Sequence, residues 1–235
     1  MITNNNAEVF DIDVVSDLFQ QSLNGDDDID LSSYVAAYNE LNKLDDFINF
    51  IRHHSYQLSQ LDDNFRLFAL LGTVFTFVRS DVEEKESILS SLYSSDREHY
   101  ATVHSMISWE CRDGTPKANG SRTLLRLHRA LQFVNDFLIS LRDASEDAQL
   151  SWLCRRSYER TLSQYHGWFI RQGVSLASYT LPSRCIFIRK IAGTGQQTPP
   201  EERINDAIDR MVDASTMVYD RVQKIFSACD LLDLP

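Results

Sequence analysis

Two pairs of charged residues, each with a spacing of four, are the side chains in this sequence with the clearest chemistry. Asp81 and Lys85 form one pair, and Arg122 and Arg126 form the other. Side chains four apart share one face of a helix. If the pairs converge in the fold, three cations and one carboxylate give the site a net positive charge. Such a site suits a phosphate monoester, which carries about −1.5 to −2 at neutral pH and matches the arginine fork.

Each pair also has an ordinary interpretation. Asp81 and Lys85 suit a simple ion pair along a helix, and Arg122 and Arg126 suit two side chains that point into solvent. Burying the two arginines without a partner would be costly, so a buried face would need an anion. The spacing alone leaves both interpretations open.

Catalytic and metal-binding motifs are absent from the sequence. The six histidines form no His-Glu-x-x-His motif, and the four cysteines have no zinc-type spacing. There is no glycine-rich phosphate loop and no Gly-x-Ser-x-Gly elbow. We therefore predict a protein that is not an enzyme and that needs no cofactor and no metal.

The elements that position the charged pairs are predicted to be helices. Only 8 glycines and 5 prolines interrupt 235 residues, too few for the turns of an all-β domain. Capping boxes at Ser80/Glu83, Ser95/Glu98 and Thr198/Glu201 predict helix starts, the first of them a break in a long helix. The predicted helices cover residues 9–22, 31–55, 64–91, 96–111, 121–142, 146–163, 164–179, 183–191 and a segment beginning at 199–200. The sequence thus predicts an all-α fold of packed layers, formed by a single domain over residues 1–235.

Two of the predicted helices carry the clearest apolar patterns. In the last one, apolar or small residues recur every three or four positions from Ile204 to Cys229, which indicates a core-facing stripe. In the helix over 121–142 the apolar positions cover more than one stripe. We expect that helix to be buried on most sides, although arginines occupy its first turns.

Charge is distributed unevenly along the chain. The formal net charge is −11, which argues against nucleic acid as a partner. Residues 1–111 carry six Lys/Arg against twenty Asp/Glu, whereas residues 112–190 carry thirteen against six. A basic middle third could attract anionic ligands or surfaces. The start of the sequence lacks signal-peptide character and the cysteines suit buried free thiols, so we expect a cytosolic protein.

Several motifs in this order resemble the glycolipid transfer protein superfamily, and more narrowly its branch that carries ceramide 1-phosphate. The similarity runs from about residue 30 to the end of the chain. It is carried by Leu71–Val82, Ser121–Leu131, Tyr165–Trp168, Thr180–Arg184 and Leu231–Pro235.

The resemblance implies a two-layer helical sandwich that takes the lipid chains between its layers. It also implies a head-group site in which Asp81 and His166 orient the ceramide amide and hydroxyl, while Lys85, Arg122 and Arg126 hold the phosphate. The sugar-binding branch is similar but has tryptophan at the position of Arg126 and asparagine at that of Lys85. Two cations suit phosphate, whereas a flat aromatic ring suits a sugar.

The expected function is therefore non-enzymatic transfer of ceramide 1-phosphate, with transient contact with anionic membranes. Residues 151–190 carry seven Lys/Arg against one Glu with aromatics interleaved, and the resemblance places Trp168 near the docking face. A lipid-sensing adaptor that binds the same ligand and a glycolipid carrier remain as alternatives. Residues 45–64 look like an insertion relative to the family, with an open role.

Overall fold

The computed structural model describes residues 10–43, 64–113, 119–179, 181, 183–191 and 200–234, without the side chains of residues 64–79 and 190. The predicted insertion, residues 45–64, lies outside this described part except for its last residue. The helices are α1 (Ile12–Ser22), α2 (31–43), α3 (Asn64–Ser95), α4 (Arg97–Tyr100), α5 (Val103–Glu110), α6 (Gly120–Arg142), α7 (Leu150–Arg160), α8 (Trp168–Ser178), α9 (Arg184–Ile191) and α10 (Glu201–Ala228).

Two short elements accompany the helices. A 3₁₀ helix covers Ser163–Tyr165 between α7 and α8. Strands β1 (Leu23–Asn24) and β2 (Asp28–Ile29) pair antiparallel between α1 and α2. The turn between them contains Gly25 at a φ of 58°, which glycine adopts without strain. The pattern of apolar residues did not predict this hairpin, because two-residue strands have no measurable periodicity.

The helix boundaries correct two of the predicted capping boxes. Helix α3 runs through Ser80 without interruption, so the predicted break there is wrong. Asp96, rather than Ser95, caps α4 by accepting a hydrogen bond from the His99 amide. The segment predicted as one helix over 96–111 is two, because Thr102 takes an extended conformation and caps α5 with Ser105. Thr198 lies outside the described residues.

The described helices pack in two layers. Helices α1, α10 and α6 contact one another in that order, and α3, α8 and α7 form a second series of neighbours. Helix α6 joins the two because it also packs on α3 and α7. Helix α2 contributes the Tyr38 hydroxyl, which donates to the Leu127 carbonyl of α6 at 2.6 Å. The all-α prediction is confirmed.

Helices α6 and α10 supply much of the core. The predicted stripe of α10 is confirmed from Ile204 to Ile225, all of whose members are buried, but Cys229 ends the helix and is exposed. In α6 the leucines at 124, 125, 127, 131, 138 and 141 are buried, as expected for a helix covered on most sides. None of the four cysteines forms a disulfide, but two are half-buried and two are exposed, so the predicted burial of the thiols is not confirmed. Within the described residues, every helix is too short or too polar to span a bilayer.

Candidate functional site

The predicted Asp81–Lys85 pair is formed on α3. Lys85 Nζ lies 2.5 Å from Asp81 Oδ1 and donates to the Asp81 carbonyl at 3.0 Å. The Lys85 side chain is only 7% exposed, whereas that of Asp81 is 49% exposed. Burial covers the aliphatic stem of the lysine and leaves its ammonium paired. Asp81 is therefore the member of the pair that presents a polar surface to the outside.

His166 lies close enough to this pair to be affected by both charges. Its Nδ1 is 2.9 Å from the Tyr158 hydroxyl of α7, which fixes the orientation of the ring and leaves Nε2 as the nitrogen able to face a ligand. Burial lowers the pKa of His166, the Asp81 carboxylate opposes this effect, and the Lys85 ammonium adds to it. The histidine that only the resemblance had singled out is thus grouped with the α3 pair.

The start of α6 is fixed by a carboxylate from the preceding helix. Glu110 is 1% exposed and accepts hydrogen bonds from the Gly120 and Ser121 amides at 2.9 Å and from the Ser121 hydroxyl at 2.6 Å. Asn119, the cap residue, makes no side-chain capping bond. Glu110 therefore satisfies the free amides of the first turn.

A side chain at the first position of α6 would displace the side chains packed around it. A Cβ on Gly120 would lie 2.6 Å from Glu110 Oε1 and 2.7 Å from Met106 Sδ, closer than packed atoms allow. The absence of a side chain lets the backbone of α6 approach the carboxylate. This contact sets where the next turns of the helix begin.

Arg122 and Arg126 lie in the first two turns of α6 and are both exposed. Within the described part of the chain, no residue forms an ion pair or a hydrogen bond with either guanidinium. Their helix packs on α3, which carries Asp81 and Lys85. Of the two interpretations that the spacing left open, the solvent-facing one describes the geometry, and the exposed guanidinium groups have no described carboxylate to neutralise them.

The last predicted residue, Trp168, begins α8 on the outside of the molecule. Its side chain is 59% exposed, and the two residues that follow, Phe169 and Ile170, are 84% and 43% exposed. The rings of Trp168 and Phe169 pack edge to face with centroids 4.9 Å apart. At the opposite end of α8, Arg155 donates to the Tyr179 hydroxyl at 2.6 Å. The structure keeps Trp168 apart from the buried core and on an exposed apolar face.

Sequence reasoning missed two residues that position this region, Glu110 and Tyr158. Each acts on a partner from another element, so no local pattern marks it. The sequence at the start of α6 gave no signal for Glu110, because Asn119 and Ser121 are residue types that favour a helix start by themselves.

Comparison with known proteins agrees with this architecture. The model of the family described as glycolipid transfer protein matches residues 51–193. A ceramide-1-phosphate transfer protein of Rattus norvegicus is 38% identical over 181 residues, which cover 72% of this chain and 82% of the relative. The apo crystal structure of the mouse ceramide-1-phosphate transfer protein superposes with a TM-score of 0.77 at 33% identity, covering 96% of this chain and 100% of that one.

The human ceramide-1-phosphate transfer protein, solved in complex with 12:0 ceramide 1-phosphate, gives a TM-score of 0.75 at 30% identity. The alignment covers 96% of this chain and 100% of the human chain. The two-layer helical fold that the motifs implied is confirmed by these similarities. The chain belongs to the glycolipid transfer protein family.

Proposed function

We propose that this protein transfers ceramide 1-phosphate between membranes without altering it chemically. The relatives named above are ceramide-1-phosphate transfer proteins, and the human one is solved with that lipid bound. The observation that carries the proposal is the pair of exposed arginines, Arg122 and Arg126, on the helix that packs on α3, the helix that carries Asp81 and Lys85.

A carrier of this kind is needed because the lipid hardly dissolves in water. Two chains with about thirty methylenes, at ~0.8 kcal/mol each, put roughly 24 kcal/mol against free passage. An apolar protein interior removes most of that penalty without any covalent step. Selectivity then has to come from the head group, because an apolar cavity discriminates weakly between chains.

In the proposed site, Arg122, Arg126 and Lys85 hold the phosphate. The arginine forks supply charge-assisted hydrogen bonds to the phosphate oxygens. Lys85, which is paired with Asp81, adds a third positive charge to the site. Asp81 accepts a hydrogen bond from the ceramide amide or hydroxyl, and His166 orients the same groups through the nitrogen that does not face Tyr158. No cofactor and no metal take part.

The residues of the proposed site favour a phosphate head group over a sugar head group. A sugar offers hydroxyls and a flat hydrogen-bearing face, which an aromatic side chain covers well. Position 126 offers instead a charged fork, and position 85 a second cation. A glycolipid would leave these cations without an anion, so we expect it to be a poor ligand.

Docking would place the exposed face of α8 against the membrane. Trp168 and Phe169 would enter the interface, where aromatic rings are favourable, and the exposed Arg171, three positions after Trp168 on α8, would attract anionic head groups. The protein would therefore work from the cytosol and contact membranes transiently. Nucleic acid is not expected to bind to a chain with a formal net charge of −11.

The test is transfer of fluorescent ceramide 1-phosphate and of a glycosylated ceramide between vesicles, measured side by side. A charge-assisted hydrogen bond contributes about 1.5–3 kcal/mol, so Arg122→Leu and Arg126→Leu should each slow capture of the phosphorylated lipid about tenfold or more. Arg203→Leu, which changes another exposed arginine in the first turn of a long helix, serves as the matched control.

Circular dichroism should show unchanged helix content in all three variants. Full transfer of the phosphorylated lipid by a folded Arg122→Leu, Arg126→Leu double variant would overturn the proposed function. Equal transfer of the phosphorylated and the glycosylated lipid by the unmodified protein would favour a glycolipid carrier. Tight capture of the phosphorylated lipid with almost no release would favour a lipid-sensing adaptor.

A further inference from the structure

The chain reverses sharply after α10 and returns over the molecule. The Leu231 amide donates to the Phe226 carbonyl at 2.9 Å, and the Asp230 amide donates to the Ser227 carbonyl at 3.3 Å. These two bonds form a Schellman motif, in which Asp230 takes the left-handed position with a φ of 56°. Leu231 is 5% exposed and anchors the turn by burial. The segment 231–234 is thereby directed along α6.

Arg129 of α6 ties this segment to a third element. Its Nη2 donates to the Leu232 carbonyl at 2.7 Å and, more weakly, to the Leu234 carbonyl at 3.5 Å. Its guanidinium carbon lies 4.1 Å from the centre of the Tyr165 ring, a cation–π contact. One side chain therefore joins α6, the 231–234 segment and the end of the 3₁₀ helix.

The 3₁₀ helix is bonded to the end of α7 by two side chains. Ser163 Oγ donates to the Glu159 carbonyl at 2.9 Å, and Gln164 Nε2 donates to the Thr161 carbonyl at 3.0 Å, but neither bond involves Tyr165. The single turn of the 3₁₀ helix is closed by the Tyr165 amide on the Leu162 carbonyl at 3.0 Å and by the His166 amide on the Ser163 carbonyl at 3.3 Å. Gly167, which follows, offers no side chain to cap α8. A short 3₁₀ turn has poor hydrogen-bond geometry and depends on its surroundings for a fixed position.

The surroundings of the Arg129–Tyr165 contact are polar and tightly connected. A cavity of about 190 Å³ lies beside it, lined by both residues and by His128, Tyr219 and Gln223, among others. The His128 ring stacks on Tyr219 with centroids 4.2 Å apart, and its Nε2 lies 2.7 Å from Gln223 Oε1. This wall belongs to α6 and α10, so it is anchored in the core layer.

We propose that Arg129 is a positioning residue for the head-group site, which fixes Tyr165 and, through it, the adjacent His166 relative to Asp81 and Lys85. The inference rests on the proposed role of His166 in binding the lipid head group. Arg129 does not need to touch the ligand. Its guanidinium is already engaged by two backbone carbonyls and by the face of a ring.

The experiment compares Arg129→Leu, Tyr165→Leu and the double variant in two readouts. The first is the pKa of His166, measured by NMR titration of the full-length protein. The second is the affinity for ceramide 1-phosphate with a short acyl chain. Arg142→Leu is the matched control. Arg142 is another arginine of α6, and it donates to Asp209 of α10 at the opposite end of α6 from Arg129.

Both single variants should loosen the turn that carries His166, although the bond to the Tyr158 hydroxyl stays in place. Water then reaches the ring, and the pKa of His166 should rise toward its ordinary value, because burial is what lowers it. Affinity should fall about tenfold, the usual scale for losing a group that orients a ligand-binding side chain. The double variant should be no worse than either single one, because the two changes break one contact. Arg129→Lys should bind the lipid as weakly as Arg129→Leu, because an ammonium lacks the planar fork that contacts the two carbonyls and the Tyr165 ring.

Arg142→Leu should lower thermal stability and leave both readouts unchanged. An unchanged pKa of His166 in both Arg129→Leu and Tyr165→Leu would overturn the inference. So would an affinity loss in Arg129→Leu that is absent from Tyr165→Leu, since that result means direct contact between Arg129 and phosphate. If these variants behave normally while Arg122→Leu and Arg126→Leu still lose the lipid, only the positioning role fails. If all of them bind normally, the proposed function fails too.

Discussion

The α5–α6 junction and the outer face of α8 both reverse the usual placement of polar and apolar side chains. Glu110 is 1% exposed at the junction, whereas Phe169 is 84% exposed on α8. The buried carboxylate is compensated inside the molecule by donors from α6. The exposed rings are compensated only in part, by each other, and gain a full partner only from outside. A buried charge therefore reports on the fold, and an exposed aromatic cluster reports on an external partner.

Glu86 of α3 stands between these two cases. It is 5% exposed, and its Oε1 accepts a hydrogen bond from the side-chain Nδ2 of Asn42 in α2 at 2.6 Å. Burial, helped by the negative charge of Glu83, raises the pKa of Glu86 to about 7. Glu86 has one described donor and a like charge nearby, so its proton is retained to higher pH than in water.

The largest effect on stability is expected at Glu110. Glu110→Ala removes the acceptor of two backbone amides and of the Ser121 hydroxyl, all at the buried start of α6. Leaving a buried group unpaired costs about 1–3 kcal/mol, so losing the acceptor of all three donors should lower the unfolding free energy by at least about 3 kcal/mol. Chemical denaturation measures this loss.

Glu98→Ala, on the exposed side of α4, is the control and should change stability by less than about 0.5 kcal/mol. Glu110→Gln should fall between the two, because the amide keeps one acceptor oxygen and adds donors that oppose those of α6. A Glu110→Ala protein as stable as the control would mean that the junction does not hold α6 in place.

A smaller and pH-dependent effect is expected at Glu86. The folded protein holds the proton up to a pKa of about 7, whereas the unfolded chain releases it near 4.5. The folded state therefore binds more protons between these values, and this group destabilises the fold progressively as pH rises from about 4.5 to 7, by roughly 3 kcal/mol in total. Below pH 4.5 the contribution is absent.

Glu86→Gln keeps an acceptor for Asn42 and carries no charge. The variant should match the unmodified protein near pH 4.5 and exceed its stability at pH 8, as measured by denaturation at both values. Glu84→Gln removes a charge of the same sign from an exposed position on the same helix. This variant should not gain stability relative to the unmodified protein between pH 4.5 and pH 8. If the unfolding free energies of the Glu86→Gln and unmodified proteins changed in parallel with pH, ionisation of Glu86 would not destabilise the fold and the prediction would be wrong.

Much of the fold could be predicted from the sequence because it is encoded in short-range periodicity. The stripe from Ile204 to Ile225 and the leucines of α6 gave both the helices and their buried faces. The spacing of Asp81 and Lys85 also offered, as one of its two interpretations, the ion pair that the structure contains. These features depend on residues within two helical turns of each other, which a single sequence displays directly.

Other features depended on partners that the chain brings together from a distance. Ser80 looked like a cap but lies within α3, since a capping motif also occurs inside helices whose tertiary packing favours continuation. Glu110 acts on Ser121, and Arg129 acts on Leu232, so neither role appears in any local window. For the candidate site, the spacing supplied the residue types, and only the resemblance brought in His166.

The smallest effect on stability, with a large effect on binding, is expected on α8. Replacing Trp168 and Phe169 by alanine removes side chains that are 59% and 84% exposed, so the double variant should unfold within about 0.5 kcal/mol of the unmodified protein. Its association with vesicles containing phosphatidylserine should fall sharply, because the rings supply the apolar contact with the interface. Binding by the unmodified protein should also weaken as salt rises, since the exposed Arg171 on α8 attracts the anionic lipid. Met217→Ala, which trims another exposed apolar side chain on α10, is the control and should bind like the unmodified protein. A folded Trp168→Ala, Phe169→Ala protein that binds vesicles as before would show that the aromatic cluster faces no membrane, and the contrast with the α5–α6 junction would then need a different external partner.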